Sequence, residues 1–226
     1  MIVYGRNPVR EALRGRREVR RGWASRDFDW PADLPVTRAD DAELTERADS
    51  PDHQGVCADV ESYRYAEAGS LLAAEDALVV ALDEVQDPHN LGAVARVAES
   101  AGAGLVIPER RSAEVTPAVC RASAGAVEHL ALARVRNLAD WLGEAKEAGA
   151  WVYGAAADSG VSYSEPDYGG RVVLVLGSEG KGLRPRVASA CDQLVSLPRR
   201  GRVESLNVST AAAALVYGIL QLRERA

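Results

Sequence analysis

The sequence predicts an α/β protein: a mostly parallel sheet with helices on both faces, joined to a smaller N-terminal α/β unit. Three observations predict it. From residue 76 onward, strand-like apolar runs alternate with helical runs, the signature of a parallel sheet with helical crossovers. Those strands, such as "ALVVALDEV" and "RVVLVLG", are near-continuous apolar runs, as strands covered on both faces are. Before residue 66 the runs are shorter and more polar, and "SYRYAEAGSLLAAED" then falls between two strand signals. The expected organisation is therefore a small unit over 1–66, a linker over 67–75 and a larger unit over 76–226.

In the small unit, "IVY" reads as a short strand. Asn7 is expected to cap a helix with Pro8 in its first position, running through Val9, Ala12 and Leu13. "EVRRGWA" reads as a strand, "DDAELTERA" as a short polar helix, and "GVCADVE" alternates as a strand does. In the large unit, "ALVVALDEV" is a buried strand, followed by a helix in "NLGAVARVAESAGA" with Leu91, Val94, Val97 and Ala98 on one face. "GLVIPE" is a strand and "NLADWLGEAKEAG" a helix. "WVYGAAA", "RVVLVLG" and "QLVSLP" are strands, and "SLNVSTAAAALVYGILQLRER" is a long closing helix.

Composition narrows the function classes. No apolar run reaches the length of a membrane span, and the N-terminus carries no export signal, so a cytoplasmic protein is expected. Cys57, Cys120 and Cys191 are odd in number and widely spaced, which suits reduced thiols; neither they nor the three scattered histidines have metal-ligand spacing. The net charge of −6 argues mildly against nucleic acid, but the distribution of charge points the other way. Eight arginines fall within residues 1–26, and Arg199, Arg200 and Arg202 form a later cluster. Lys146 and Lys181 are the only lysines. Arginine offers a planar fork suited to phosphate and stacks on bases, although a solvated basic face explains the same composition.

The stretch "VVLVLGSEGKGLRP" looks like a phosphate loop and fails as one. A Walker loop needs four residues between its glycines and a hydroxyl after the lysine to hold magnesium. Here Gly177 is three residues before Gly180, Gly182 follows Lys181, and Glu179 would place negative charge in a phosphate nest. "AGAGLVIPE" follows a helix and opens a strand, the reverse of a dinucleotide fingerprint, and reads as a helix C-terminus. In "LPRRGRVESLNVSTAAA", Ser205, Asn207 and Ser209 crowd the start of an alanine-rich helix, more polar groups than one cap requires.

Three segments together resemble the SpoU (TrmH-like) branch of the SPOUT RNA methyltransferases. They are "DEVQDPHNLGAVARVAESAGA", with Asn90, Gly92 and Arg96; "LVLGSEGKGL", with Gly177, Glu179, Gly180 and Gly182; and "LPRRGRVESLNVSTAAA", with Pro198, Gly201, Ser205, Leu206, Asn207, Val208 and Ser209. "YGRNPVREALRG" and "HQGVCADVESYRYA" resemble the two ends of the L30-like substrate-binding domain of RlmB-type enzymes, over a stretch short enough to lack a helix and a strand. Arg199 stands where the family usually has an apolar residue.

The resemblance implies a deep trefoil knot, a homodimer and S-adenosylmethionine bound against the glycine turn, with Gly177, Gly180, Leu197, Leu206 and Ser209 lining the cofactor. It implies methylation of a ribose 2′-hydroxyl, most closely that of a guanosine in large-subunit ribosomal RNA, with transfer RNA or a resistance-type ribosomal site as rival targets. Arg96 matches the family's catalytic arginine. It would act either as a base or, more simply, by binding the adjoining phosphate and positioning the hydroxyl. Asn90 would orient Arg96, fix the loop or cap its helix, and Glu179 would tie Arg96 or the loop glycines. Ser205 and Asn207 would bond the ribose, the phosphate or Arg96. Arg6, Arg10, Arg199 and Arg200 are the expected RNA contacts. A non-catalytic RNA-binding relative and a nucleotide hydrolase are the readings from other classes.

Overall fold

The computed structural model describes residues 1–202 and 205–225. Ten strands and seven α-helices are found among them. In the N-terminal unit, β1 (Ile2–Tyr4), β2 (Val19–Ala24), β3 (Val36–Arg38) and β4 (Val56–Val60) form a sheet in the order β1-β4-β2-β3. α1 (Arg6–Arg14) and α2 (Asp41–Ala48) belong to it. The segment between the two matched ends thus contributes two strands, β2 and β3, and the helix α2. α2 starts at a capping box, Asp40 accepting from the Glu43 N–H while the Glu43 carboxylate accepts from the Asp40 N–H.

Asn7 does not cap α1. The helix begins one residue earlier, with Gly5 as its N-cap at φ +93° and no side-chain cap. The Arg6 N–H donates instead to Gln54 Oε1 at 3.0 Å, and Asn7 Oδ1 accepts from Arg10 at 3.0 Å. A glycine that turns into the left-handed region lets the chain enter the helix without an Asn-type cap.

The larger unit holds β5 (Leu78–Asp83), β6 (Gly104–Pro108), β7 (Leu132–Val135), β8 (Trp151–Ala155), β9 (Val172–Gly177) and β10 (Gln193–Val195). They form one wholly parallel sheet in the order β10-β8-β9-β5-β6-β7. The strand period of two divides its core. Leu78, Val80 and Leu82 pack with α3 (Pro88–Ser100) and α7 (Val208–Arg223) on one face; Val79 and Ala81 pack with α5 (Leu138–Glu147) on the other. Each fully buried leucine or valine contributes roughly 1.5–3 kcal/mol.

Four elements were not foreseen: the short β3 and α6 (Pro185–Ala190), and α4 (Pro117–Ala122) and β7, the last two in a serine-, alanine- and glycine-broken stretch with no clear period. α4 matters to the site. Gly92 of α3 lies so close to it that an added Cβ would sit 2.5 Å from the Ala122 Cβ.

The two units share a packed joint. Val3, Val9, Ala12 and Val60 belong to the same apolar cluster as Leu91, Val119 and Val127. Within it Arg17 is paired with Glu128, their side chains 6% and 0% exposed. Arg17 Nε donates to Glu128 Oε2 at 2.8 Å, and Arg17 Nη1 to the Glu61 carbonyl at 2.8 Å. Burial works against the Arg17 charge, but the hydrogen bond and charge of Glu128 outweigh it and leave its pKa raised. Within 67–75, a 3-10 turn (Ala68–Leu72) buries Leu72 and packs Leu71 against Gly104.

Candidate functional site

The site gathers at the carboxyl ends of β5 and β9, where the strand order reverses and open parallel sheets bind their ligands. Asp83 and Gly177 end these strands as register partners. From Gly177 the chain makes a tight turn in which the Gly182 N–H donates to the Ser178 carbonyl at 2.9 Å. Gly177 permits this closure: a Cβ there would lie 2.1 Å from the Gly182 carbonyl carbon. Gly180 and Gly182 have φ of +76° and +65°, and a Cβ on either would meet nothing within 4 Å. Bare backbone donors and acceptors therefore face open space, which suits a close-lying ligand.

Three sequence motifs converge on this turn. Asn207, the N-cap of α7, accepts from the Ser209 N–H at 2.8 Å through Oδ1. Its Nδ2 donates to Asn90 Oδ1 at 2.9 Å and to Glu179 Oε1. Asn90 Nδ2 donates to the same Glu179 oxygen at 3.0 Å. Asn90 lies in the first turn of α3, Glu179 rides the glycine turn and Asn207 caps α7, so one amide joins three elements distant in sequence. The order of donors follows from chemistry. A carboxylate only accepts, so both amides turn their NH2 groups toward it, leaving the Asn207 oxygen for the helix cap.

The remaining expected residues fall as follows. Arg96 is exposed on α3, with no hydrogen bond or ion pair among the described residues; it is not tied by Asn90 or Glu179. Ser205 is exposed and precedes α7, whose first residue is Val208, so it is not part of the helix. The Ser209 hydroxyl donates to Asn207 Oδ1 at 2.6 Å and is engaged in the cap. Leu197 is half-buried just after β10, and Leu206 is 54% exposed. Arg6 donates to the Asp27 carbonyl and stacks over Phe28 at 5.3 Å, while Arg10 is exposed. Arg199 pairs with Asp158 at 2.9 Å, and Arg200 is exposed.

Sequence reasoning missed one anchor. Asp83, fully buried at the strand end, accepts from the Arg184 N–H at 2.8 Å and from Arg184 Nε at 2.7 Å. Glu84, at φ +56°, pairs with Arg184 and with Arg111. This clamp fixes the chain just after the glycine turn to the end of β5. An acid closing an otherwise apolar buried strand was the available signal.

The geometry is that of an α/β fold with an open glycine turn at the carboxyl end of a parallel sheet, an amide–carboxylate junction beside it, and Arg96 exposed on α3. Comparison with known proteins identifies the family. Residues 77–217 match the SpoU rRNA methylase family, and residues 2–66 match the substrate-binding domain of RNA 2′-O ribose methyltransferases. The chain belongs to the SpoU family: it is an RNA methyltransferase of the TrmH-like kind, and S-adenosylmethionine is its cofactor.

A Bacillus subtilis protein assigned to the TrmH family of tRNA/rRNA methyltransferases, YacO, is 39% identical over 98% of this chain and 95% of its own length. A Porphyromonas gingivalis structure described as an RNA methyltransferase of the TrmH family is 30% identical, with TM-score 0.80, covering 100% of this chain and 90% of that one. A structure of an AdoMet-bound rRNA methyltransferase from Sinorhizobium meliloti is 25% identical, with TM-score 0.83, covering 97% and 86%. No helix among the described residues is long and apolar enough to cross a membrane.

Proposed function

We propose that the protein methylates the 2′-hydroxyl of a ribose, that of a guanosine in large-subunit ribosomal RNA, and that it works as a homodimer whose larger unit carries the knotted methyltransferase fold. The observation that carries this reading is the junction of Asn90, Glu179 and Asn207, which brings three motifs to one open glycine turn. The assignment to ribosomal RNA rests on the likeness of 1–66 to an L30-like substrate domain joined to 76–226 through 67–75. The exposed Tyr217 on α7 suits a face covered by a second copy.

In this reading S-adenosylmethionine supplies an electrophilic methyl on a sulfonium. The backbone of Gly177, Gly180, Leu197 and Leu206 would hold it, with Ser209 helping by fixing the Asn207 cap. Asn90, Glu179 and Asn207 keep the turn in the shape that receives it. Arg96 would bind the phosphate beside the target ribose and so position the 2′-hydroxyl for reaction. A guanidinium remains protonated in proteins, so Arg96 acts by position and charge, and the hydroxyl proton leaves to water at this open edge. Ser205 bonds the ribose, and Arg6, Arg10, Arg199 and Arg200 engage the RNA backbone.

The test is transfer of labelled methyl from S-adenosylmethionine to unmodified large-subunit ribosomal RNA and to unmodified transfer RNA, with Arg96→Ala beside the parent. Label at one guanosine ribose of the ribosomal RNA, abolished by the substitution, is the expected result. Label only in transfer RNA would move the target. Label on a base, or an undiminished Arg96→Ala, would refute the mechanism.

A further inference from the structure

We propose that Arg121 binds the phosphodiester backbone of the RNA substrate at the joint between the two units. The proposal rests on the RNA methyltransferase reading and adds a binding residue to it. Arg121 lies in the last turn of α4, and its Nε is out of contact with solvent and has no hydrogen-bond partner. Arg134 also has a buried, unbonded Nε, but its Nη2 reaches the Glu109 carbonyl and Glu114. No atom of the Arg121 guanidinium has a partner among the described residues. A buried donor left unmade costs about 1–3 kcal/mol, more when charged. Arg121 Nη1 and Nη2 are neither bonded nor shut off from solvent, so a ligand reaches the guanidinium through them.

Its surroundings specify an anion. The stem of Arg121 crosses to the N-terminal unit and lies against Gly5: a Cβ at that glycine would be 3.1 Å from Arg121 Cδ and 3.3 Å from Nε. Arg6 follows directly, and Arg10 stands one turn further along α1. On the other side, Ala122 packs on Gly92, and Arg96 is one turn beyond Gly92 on α3. None of Arg6, Arg10, Arg96 or Arg121 has a carboxylate partner among the described residues, whereas Arg17, Arg26, Arg111 and Arg184 do. Uncompensated arginines therefore run from the substrate unit, across the joint, to the arginine assigned to the reaction. A polyanion with regularly spaced phosphates matches a row of planar forks. Arg121 would be the contact that holds the strand between its docking surface and the reacting ribose.

The test uses the full-length protein as parent, Arg121→Gln, Arg121→Met (which keeps the aliphatic packing against Gly5) and Arg121→Lys. Binding to unmodified large-subunit ribosomal RNA and to unmodified transfer RNA is measured over a series of KCl concentrations, with S-adenosylmethionine affinity measured in parallel. Losing one phosphate contact should make the plot of log affinity against log salt shallower by about 1 and weaken binding roughly tenfold at low salt. Arg121→Gln and Arg121→Met should both show this, Arg121→Lys should keep the parent's slope, and cofactor affinity should not change in any of them. A parent-like slope and affinity in Arg121→Gln and Arg121→Met, in a protein that still methylates RNA, would overturn the proposal alone. A parent that binds and methylates neither RNA would overturn the functional reading first and this proposal with it.

Discussion

Asn207→Asp isolates what the three-way junction does. Aspartate caps a helix as well as asparagine, so the bond from the Ser209 N–H survives and α7 should keep its stability. What changes is the other end of the side chain. The NH2 that donates to Asn90 Oδ1 and Glu179 Oε1 becomes an oxygen facing two acceptors. Two hydrogen bonds are lost at an exposed position, about 0.5–1.5 kcal/mol each. Two carboxylates then stand within about 4 Å, a repulsion between about 1 kcal/mol in water and about 4 kcal/mol at a protein surface.

Relief comes when the turn swings away from α3 and α7, at a combined cost of about 2 kcal/mol or more to the ligand-ready shape. That converts to roughly a 30-fold loss in S-adenosylmethionine affinity at about 1.4 kcal/mol per factor of ten. Isothermal titration at neutral pH, with thermal unfolding of the free protein beside it, reads both quantities. The expected pair is cofactor binding weakened about 30-fold and an unfolding temperature lowered only by what the two lost hydrogen bonds contribute. Parent-like affinity would refute the reasoning, because the junction would then be a cap and nothing more.

Other outcomes follow from the same structure. Gly177→Ala forces a methyl into the Gly182 carbonyl carbon at 2.1 Å, so the turn must open; calorimetry should show S-adenosylmethionine binding lost and stability lowered by about 1–3 kcal/mol. Glu128→Ala leaves the Arg17 charge buried and uncompensated, and urea unfolding should report a loss of about 3–5 kcal/mol, a loss under about 1 kcal/mol counting against a stabilising role for the pair.

Alkali should also destabilise the fold through its thiols. Burial raises Cys57 from 9.0 to about 11 and Cys120 and Cys191 from 9.0 to about 12. Between those values the unfolded chain has lost protons that the folded chain retains, so stability is intact below pH 9.0 and falls as pH rises toward 11–12. Thermal unfolding across that range should show the decline, and Cys120→Ala should reduce its slope.

Period alone located β5, α3, β9 and α7, because apolar burial on two faces of a sheet writes itself into consecutive residues. The family resemblance likewise singled out Asn90, Gly177, Glu179 and Asn207. Local signals failed where structure depended on a distant partner. Gly5 starts α1 because Gln54 meets the first N–H, 48 residues away, and α4 and β7 sit in a stretch whose own pattern is broken. Nothing in the sequence could say that Asn90 and Glu179 bond each other and leave Arg96 free, that Asp83 locks Arg184 across 101 residues, or that Arg121 would cross to Gly5. The sequence by itself determined the strongly patterned elements and where the motifs lie along the chain, since propensity and burial act along a few turns. Only the tertiary structure decided their partners, because a hydrogen bond acts over about 3 Å and its ends are brought together by packing, not by spacing in the chain.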